Sequence, residues 1–381
     1  VVLNGREYQV ELLDRAVAQA AAGAARVVVV EGAVGCGKSE FADTAAERAA
    51  EAGALVLRAM GTPAESGIEL GVVGQLIADV PAGAGAGAFG EDAGGPGGAG
   101  GVWGGDVGAG AVAGVQAMQA FCAQVLALAE RVPVAVCVDD LHLADEASRR
   151  YLLHLARRAR ADRLLMVLTE SVHERSEDPV LGTELLRAPG FVRVRLERLA
   201  AEQVAAVVAG APQYAHTAPT PQALDRFTAL SGGNPLLLRA LLEDHRAVLE
   251  APSVAGVDLA GAGGDVVSGG SSGTGSAGSA GSAGSAGAVG AVGERLPVPG
   301  AAFSHAVWAC LQRCGVVTLS VAQGLAVLDG LASVVGAAEL ASTTQAVARQ
   351  AVLALGAAGL LDGVRWHPAA RAVVLELSLI H

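Results

Sequence analysis

One run, RVVVVEG over residues 26–32, is Val-rich and carries no polar alternation. That pattern predicts a strand buried on both faces, as parallel sheets require. ALVLRAMG, VPVAVCVDD (132–140) and RLLMVLTES (163–171) read as further buried strands, and FVRVRLERL (191–199) as one near a sheet edge. Between them the pattern turns helical. Residues 1–22 hold the Ala-rich helix ELLDRAVAQAAA, and KSEFADTAAERAAEAG reads as a helix ending at Gly53. The order strand, glycine-rich turn, helix, strand is a βαβ unit. After residue 200 the strands stop: AEQVAAVVAG, PQALDRFTALSGGNP and LLLRALLEDHRAVLE read as helices, with SGGNP as a turn between two of them. The final 85 residues look helical and close on VRWHPAARAVVLEL, a strand–turn–helix.

Two tracts have too little to bury. Residues 82–114 are Gly/Ala-rich and read as a flexible insertion; 252–296, with GSAGSAGSAGSAG, read as a flexible linker. The chain thus divides into an α/β core (1–200), a helical lid (201–250), a linker (251–297) and a C-terminal region (298–376). The last five residues, LSLIH (377–381), are what the transposon end CTG TCT CTT ATA CAC of sequencing libraries would encode, and the first residue is Val. The reading is a gene fragment with a non-native tail.

Composition narrows the function. With 26 basic against 38 acidic residues the net charge is −12, which is not the overall basic footprint of a nucleic-acid-binding surface. Arg149, Arg150, Arg157, Arg158 and Arg160 are spaced as the solvated face of a helix. Five cysteines, none in a CxxC pair, fit a reducing cytoplasm; Cys310 and Cys314, one helical turn apart, read as buried thiols. The uncharged stretch 107–129 is long enough to span a membrane, but its Gly, Ala and Gln content favours a helix of a soluble protein preceded by a flexible loop, so no membrane partner is expected.

The chemistry lies in GAVGCGKS, residues 32–39, a full match to the nucleotide-binding pattern GxxxxGK(S/T) between a strand and a helix. Backbone N–H groups of such a loop, with the helix dipole behind them, cradle phosphates. Gly32, Gly35, Cys36 and Gly37 shape the loop, Lys38 reaches the β- and γ-phosphates, and the Ser39 hydroxyl ligates Mg²⁺. Asp139, at the end of a buried strand, is placed to hold the Mg²⁺ water shell, and Asp140 to polarise the attacking water. Lys38 and Asp140 are therefore the catalytic candidates, with ATP or ADP and Mg²⁺ the cofactors. Asp145 reads as a helix cap. Thr169, ending the next strand, stands where a γ-phosphate sensor would sit.

NGRE (4–7), GAVGCGKS (32–39), VDDLHLAD (138–145), VLTES (167–171) and SGGNPLLLRALLED (231–244) occur together and in this order. The set resembles the ATPase module of large ATP-binding LuxR-type transcriptional regulators of actinobacteria, a branch of the signal-transduction NTPases with numerous domains (STAND) related to AAA+ and origin-recognition ATPases. The resemblance covers about 1–250 well and 301–376 more loosely. It implies a P-loop NTPase parallel sheet core followed by a helical lobe and a winged-helix-like domain. It also implies that Arg6 lies near the adenine pocket, that Pro235 packs on the base, and that His367 contacts the β-phosphate of ADP. Leu143 stands where the family often has Trp, Glu170 stands where relatives place a basic sensor, and no arginine finger is evident. The LuxR helix-turn-helix is absent from this chain, so DNA contact, and any self-association or inducer binding, falls to regions outside it. The expected function is an ATP-binding regulatory switch with slow hydrolysis; the alternative is a stand-alone P-loop ATPase with sustained turnover.

Overall fold

The structure is a computed structural model that describes residues 5–80, 107–172, 183–250 and 296–378. Five strands, β1 (Arg26–Gly32), β2 (Leu55–Met60), β3 (Val134–Asp139), β4 (Leu164–Ser171) and β5 (Phe191–Leu196), form one parallel sheet in the order β2-β3-β4-β1-β5. Inner strands covered on both faces need apolar side chains at every position, and β1 and β4 are buried along almost their whole length. β5 has one neighbour only, so its outer face meets water and Arg193 and Arg195 are exposed there.

The two faces of β1 feed different cores. Val28 and Val30 pack with Phe41, Ala45 and Ala49 of α2 (Lys38–Glu51) and with Leu13 of α1 (Glu7–Ala21). Val27 and Val29 pack on the opposite side against α3 (Gly71–Ala78), α4 (Val107–Arg131) and α5 (Glu146–Arg158). The alanines of α2 let its backbone lie close to the sheet, which compensates for the scarcity of aromatic residues. Asp145 caps α5, accepting from Ser148 N at 2.8 Å, as its position predicts. Two departures from the sequence reading appear here. Helix α3 was not anticipated, and α4 begins at Val107, inside the tract read as a flexible insertion. The segment that anchors α4, with Phe121, Cys122, Val125 and Leu128 buried, supplies a nucleus from which the helix propagates into the glycine-rich residues. The rest of that insertion, and the linker over 251–295, lie outside the described residues.

Beyond the sheet come α6 (Ala201–Ala209), α7 (Pro221–Ser231) and α8 (Pro235–Glu250). They are followed by α9 (Ala301–Arg313), α10 (Val316–Leu328), α11 (Val334–Leu340), α12 (Gln345–Ala357), the hairpin β6 (Leu361–Asp362) and β7 (Arg365–Trp366), and α13 (Pro368–Ser378). These elements share one hydrophobic core: Phe227, Leu237 and Leu241 pack with Phe303, Val307, Leu311, Leu355 and Trp366. Asp244 of α8 fastens α9 by its N-terminus, its carboxylate accepting from Gly300, Ala302 and Phe303 N–H at 2.7–3.0 Å. These are donors that the helix itself leaves unpaired. From the α/β core, Val34 and Leu199 reach into the same cluster.

Backbone meets backbone between Gly232 and Gly359. Gly232 has φ +56, and a Cβ there would lie 2.5 Å from the Gly359 carbonyl oxygen. Gly232→Ala is therefore expected to destabilise the fold by about 1–3 kcal/mol through overpacking, read as a lowered melting temperature. A variant as stable as the wild type would mean that this contact gives way freely. Among the described residues, no helix is long and apolar enough to cross a membrane.

Candidate nucleotide-binding site

The loop from Gly32 to Gly37 joins β1 to the N-terminus of α2, at the carboxyl end of the sheet, where parallel α/β folds place their ligands. Lys38 is buried and its Nζ donates to the carbonyls of Gly32 (3.2 Å) and Ala33 (3.1 Å). The Ala33 carbonyl also accepts from Cys36 N at 3.3 Å, so the loop closes on itself. Ser39 is exposed in the first turn of α2. Cys36 is buried beneath the loop, and burial pushes its thiol up from the ordinary value, which keeps it protonated and unreactive.

Across from the loop, β3 delivers Asp139 and Asp140, both half-buried. Thr169, fully buried at the end of β4, ties the two together: its Oγ1 donates to Asp139 Oδ1 at 2.5 Å and accepts from Asp140 N at 2.8 Å. Thr169 thus links the Asp139 carboxylate to the Asp140 backbone. Asp140 holds a left-handed backbone (φ 50, ψ 50), a conformation that Asp tolerates better than most residues. Burial, and then the neighbouring charge of Asp139, raise the Asp140 pKa, against the opposing pull of His142, Lys38 and Arg313. A carboxylate so raised is a better proton acceptor near neutral pH.

Thr169→Val keeps the shape and removes the hydroxyl, leaving the Asp140 N–H and an Asp139 oxygen without this partner. An expected loss of about 1–3 kcal/mol in stability would be seen by denaturant titration; an unchanged midpoint would deny the hydroxyl this role.

Arg6 is buried, and its Nη2 donates to the carbonyls of Cys36 (2.8 Å) and Glu197 (2.9 Å), clasping the far end of the loop to the segment after β5. Beside that clasp opens a cavity of about 610 Å³. It is lined by Gly32, Ala33 and Cys36 of the loop, by Arg195 and Arg198, and by Ala357 of α12. The volume lies within the range of small-molecule sites. Glu31 also lines it, paired with Arg193 (3.2 Å) and Arg195 (3.5 Å). His367 is half-buried at the start of α13, its N–H bonded to Leu360 O; burial lowers its pKa, Asp362 opposes this, and the charge of Arg198 adds to it. Arg198 therefore lies within electrostatic reach of both the cavity and His367. Pro235 is half-buried at the first position of α8, directly after Asn234.

Asn234 went unread in the sequence, yet it is fully buried and touches the loop. Its Nδ2 donates to Val34 O at 3.1 Å and to Ala358 O at 2.7 Å, and its Oδ1 accepts from Leu236 N and Leu237 N. Glu31 and Arg198 were also unread, although a lone carboxylate ending an otherwise apolar strand was a visible signal.

Comparisons with known proteins bear on the fold. Residues 2–168 match the family model of the AAA ATPase domain. No curated protein sequence matches. Among solved structures, the ORC2 protein of Aeropyrum pernix, determined in ADPNP–ADP complexes, is similar with a TM-score of 0.50 and 14% identity over 100% of this chain and 96% of that one. Cdc6p of Pyrobaculum aerophilum gives a TM-score of 0.45 and 12% identity, over 99% of this chain and 94% of that one. A STAND protein with a tetratricopeptide repeat sensor from Pyrococcus horikoshii gives 0.39 and 15%, over 99% of this chain. The chain spans only 43% of the length of that protein. With the parallel sheet, the phosphate loop and the carboxylate pair in place, residues 2–168 have the fold of an AAA-type P-loop NTPase.

Proposed function

We propose that this chain is the ATP-binding switch module of a LuxR-type transcriptional regulator, in which bound ATP or ADP sets how the α/β core and the helical body are arranged, and slow hydrolysis resets it. The observation that carries the reading is the SGGNP turn: the segment that opens α8 is bonded at once to the phosphate loop and to the Ala358 carbonyl of the C-terminal region. A ligand shifts a conformational balance only through contacts that differ between the two states, and a loop held by the neighbouring body supplies such contacts.

In this reading the loop amides and Lys38 grip the phosphates. Ser39 and Asp139 would hold Mg²⁺; a hydroxyl and one carboxylate are hard oxygen donors of the kind that complete its shell together with phosphate oxygens. The cation, when bound, neutralises charge on the transferred phosphoryl group. Asp140 takes the proton of the attacking water on a carboxylate oxygen. Thr169 keeps Asp139 and Asp140 in register. Arg6, the 610 Å³ cavity and Pro235 would accommodate the nucleoside, with His367 signalling from α13. Contact with DNA, inducer recognition and self-association are assigned to other parts of a longer protein.

The test is direct. The purified chain should bind N-methylanthraniloyl-ADP and -ATP, and release phosphate at on the order of 10⁻⁴ to 10⁻² s⁻¹, the range of unassisted molecular switches. Absence of nucleotide binding sinks the reading, and sustained turnover above about 1 s⁻¹, in the range of ordinary enzymes, replaces the switch with a catalyst.

A further inference from the structure

The phosphate loop and the C-terminal region are joined through one amide group. Asn234 is fully buried, and all four of its side-chain hydrogen-bonding positions are taken: two N–H donors on Val34 O (3.1 Å) and Ala358 O (2.7 Å), and two lone pairs on Leu236 N (2.9 Å) and Leu237 N (3.3 Å). Only this amide orientation satisfies the site, because the flipped one would set NH₂ against two N–H groups and the oxygen against two carbonyls.

The bond to Val34 matters for what the loop can do. In a trans peptide the C=O and the next N–H point opposite ways. Holding Val34 O therefore aims Gly35 N–H away from Asn234. The adjoining peptide is held in the same fashion, since Gly35 O accepts from Leu236 N at 3.3 Å. Two consecutive loop peptides thus have their carbonyls fixed by the start of α8, which sets the direction of the amides that would meet a phosphate. The contact leaves no slack: a Cβ on Gly35 (φ +77) would lie 2.6 Å from Asn234 Oδ1. On the other side, Ala358 precedes the Gly359 that packs on Gly232, so the same turn carries the seam with the C-terminal region.

We propose that Asn234 is a positioning residue that couples the tilt of the Val34–Gly35 peptide to the docking of the Ala358–Gly359 turn, so that phosphate entering the loop alters the hold on the C-terminal region. The proposal rests on the nucleotide-binding reading above and adds the residue through which binding is transmitted.

Asn234→Asp separates coupling from capping. A carboxylate still accepts from Leu236 and Leu237 N–H and remains a good helix cap, but it has no hydrogens for Val34 O and Ala358 O. For the readout, Glu47→Cys on α2 and Gln350→Cys on α12, both exposed, are labelled with a donor–acceptor pair. The five native cysteines are buried, which leaves them inert to the labels.

In the otherwise unaltered chain, energy transfer should differ between the nucleotide-free and ADP-bound protein. With Asn234→Asp, N-methylanthraniloyl-ADP should still bind, roughly tenfold more weakly, as for the one lost hydrogen bond that holds the phosphate loop at Val34 O, while energy transfer becomes the same with and without nucleotide. If the Asp variant fails to fold by circular dichroism, Asn234→Ser is used; it also caps, but is too short to reach both carbonyls, and the same result is expected. Two results overturn the proposal: a variant whose energy transfer responds to ADP as the unaltered chain does, or an unaltered chain that binds ADP with no change in transfer. An unaltered chain that binds no nucleotide overturns instead the reading on which the proposal stands.

Discussion

Asp140→Asn is expected to bind MgATP with near-unchanged affinity and to hydrolyse it about 10²–10⁴-fold more slowly, the usual worth of a positioned general base. An amide has the same shape as the carboxylate but accepts no proton from water. The backbone tolerates the change, since Asn, like Asp, adopts the left-handed conformation found at φ 50. Stability should move the other way. Burial and Asp139 raise the Asp140 pKa in the folded chain. Between the ordinary carboxylate value and the raised one, the folded state binds more protons than the unfolded state, so stability falls as pH rises through that window. Above the window the full cost is present. The Asn variant should therefore melt at a higher temperature than the wild type at pH 7, with the gap closing in acid below the ordinary Asp pKa. Wild-type hydrolysis should fade with acidification at a higher pH than an unperturbed carboxylate would give. Phosphate release, nucleotide titration and melting curves across pH check all three. Undiminished hydrolysis in the Asn variant would remove Asp140 from the mechanism.

The second large effect belongs to Lys38→Ala. Its ammonium is buried at the loop, within reach of two carbonyls that a phosphate would replace or join. Charge-assisted hydrogen bonds are worth about 1.5–3 kcal/mol each, so affinity for ATP and ADP should fall roughly 10–100-fold. The fold should persist, because Ala33 O keeps Cys36 N as a donor. Fluorescence titration measures the loss, and a melting curve shows that the loop has not unravelled. Unaltered affinity would mean that the nucleotide, if bound, sits elsewhere.

The sheet was legible from sequence chiefly through its inner strands: four consecutive valines, Val27–Val30 of β1, fit burial on both faces. The loop and the carboxylate pair were legible because their chemistry needs fixed residue types at fixed places along the chain. Helix α3 escaped because GVVGQLIA is short, carries two glycines and follows Leu70, which has no capping side chain. Helix α4 was read as starting too late, since local glycine content masked a segment stabilised by its continuation. Thr169 was read as standing where a γ-phosphate sensor would sit, and its hydrogen bonds to Asp139 and to Asp140 N were not foreseen. Asn234 was passed over beside the more conspicuous Pro235, because its partners, Val34 and Ala358, lie 200 and 124 residues away in sequence. Backbone carbonyls leave no mark in an amino-acid pattern.

Val34 belongs at once to the phosphate loop and to the hydrophobic cluster of the helical body. Linkage is then reciprocal: whatever factor nucleotide imposes on the seating of that body, the body imposes on nucleotide affinity. An antibody fragment raised against the docked form of α9–α13, far from the loop and touching none of it, would act as an effector of nucleotide binding, and the ratio of the two nucleotide dissociation constants would report the coupling free energy without a single substitution in the chain.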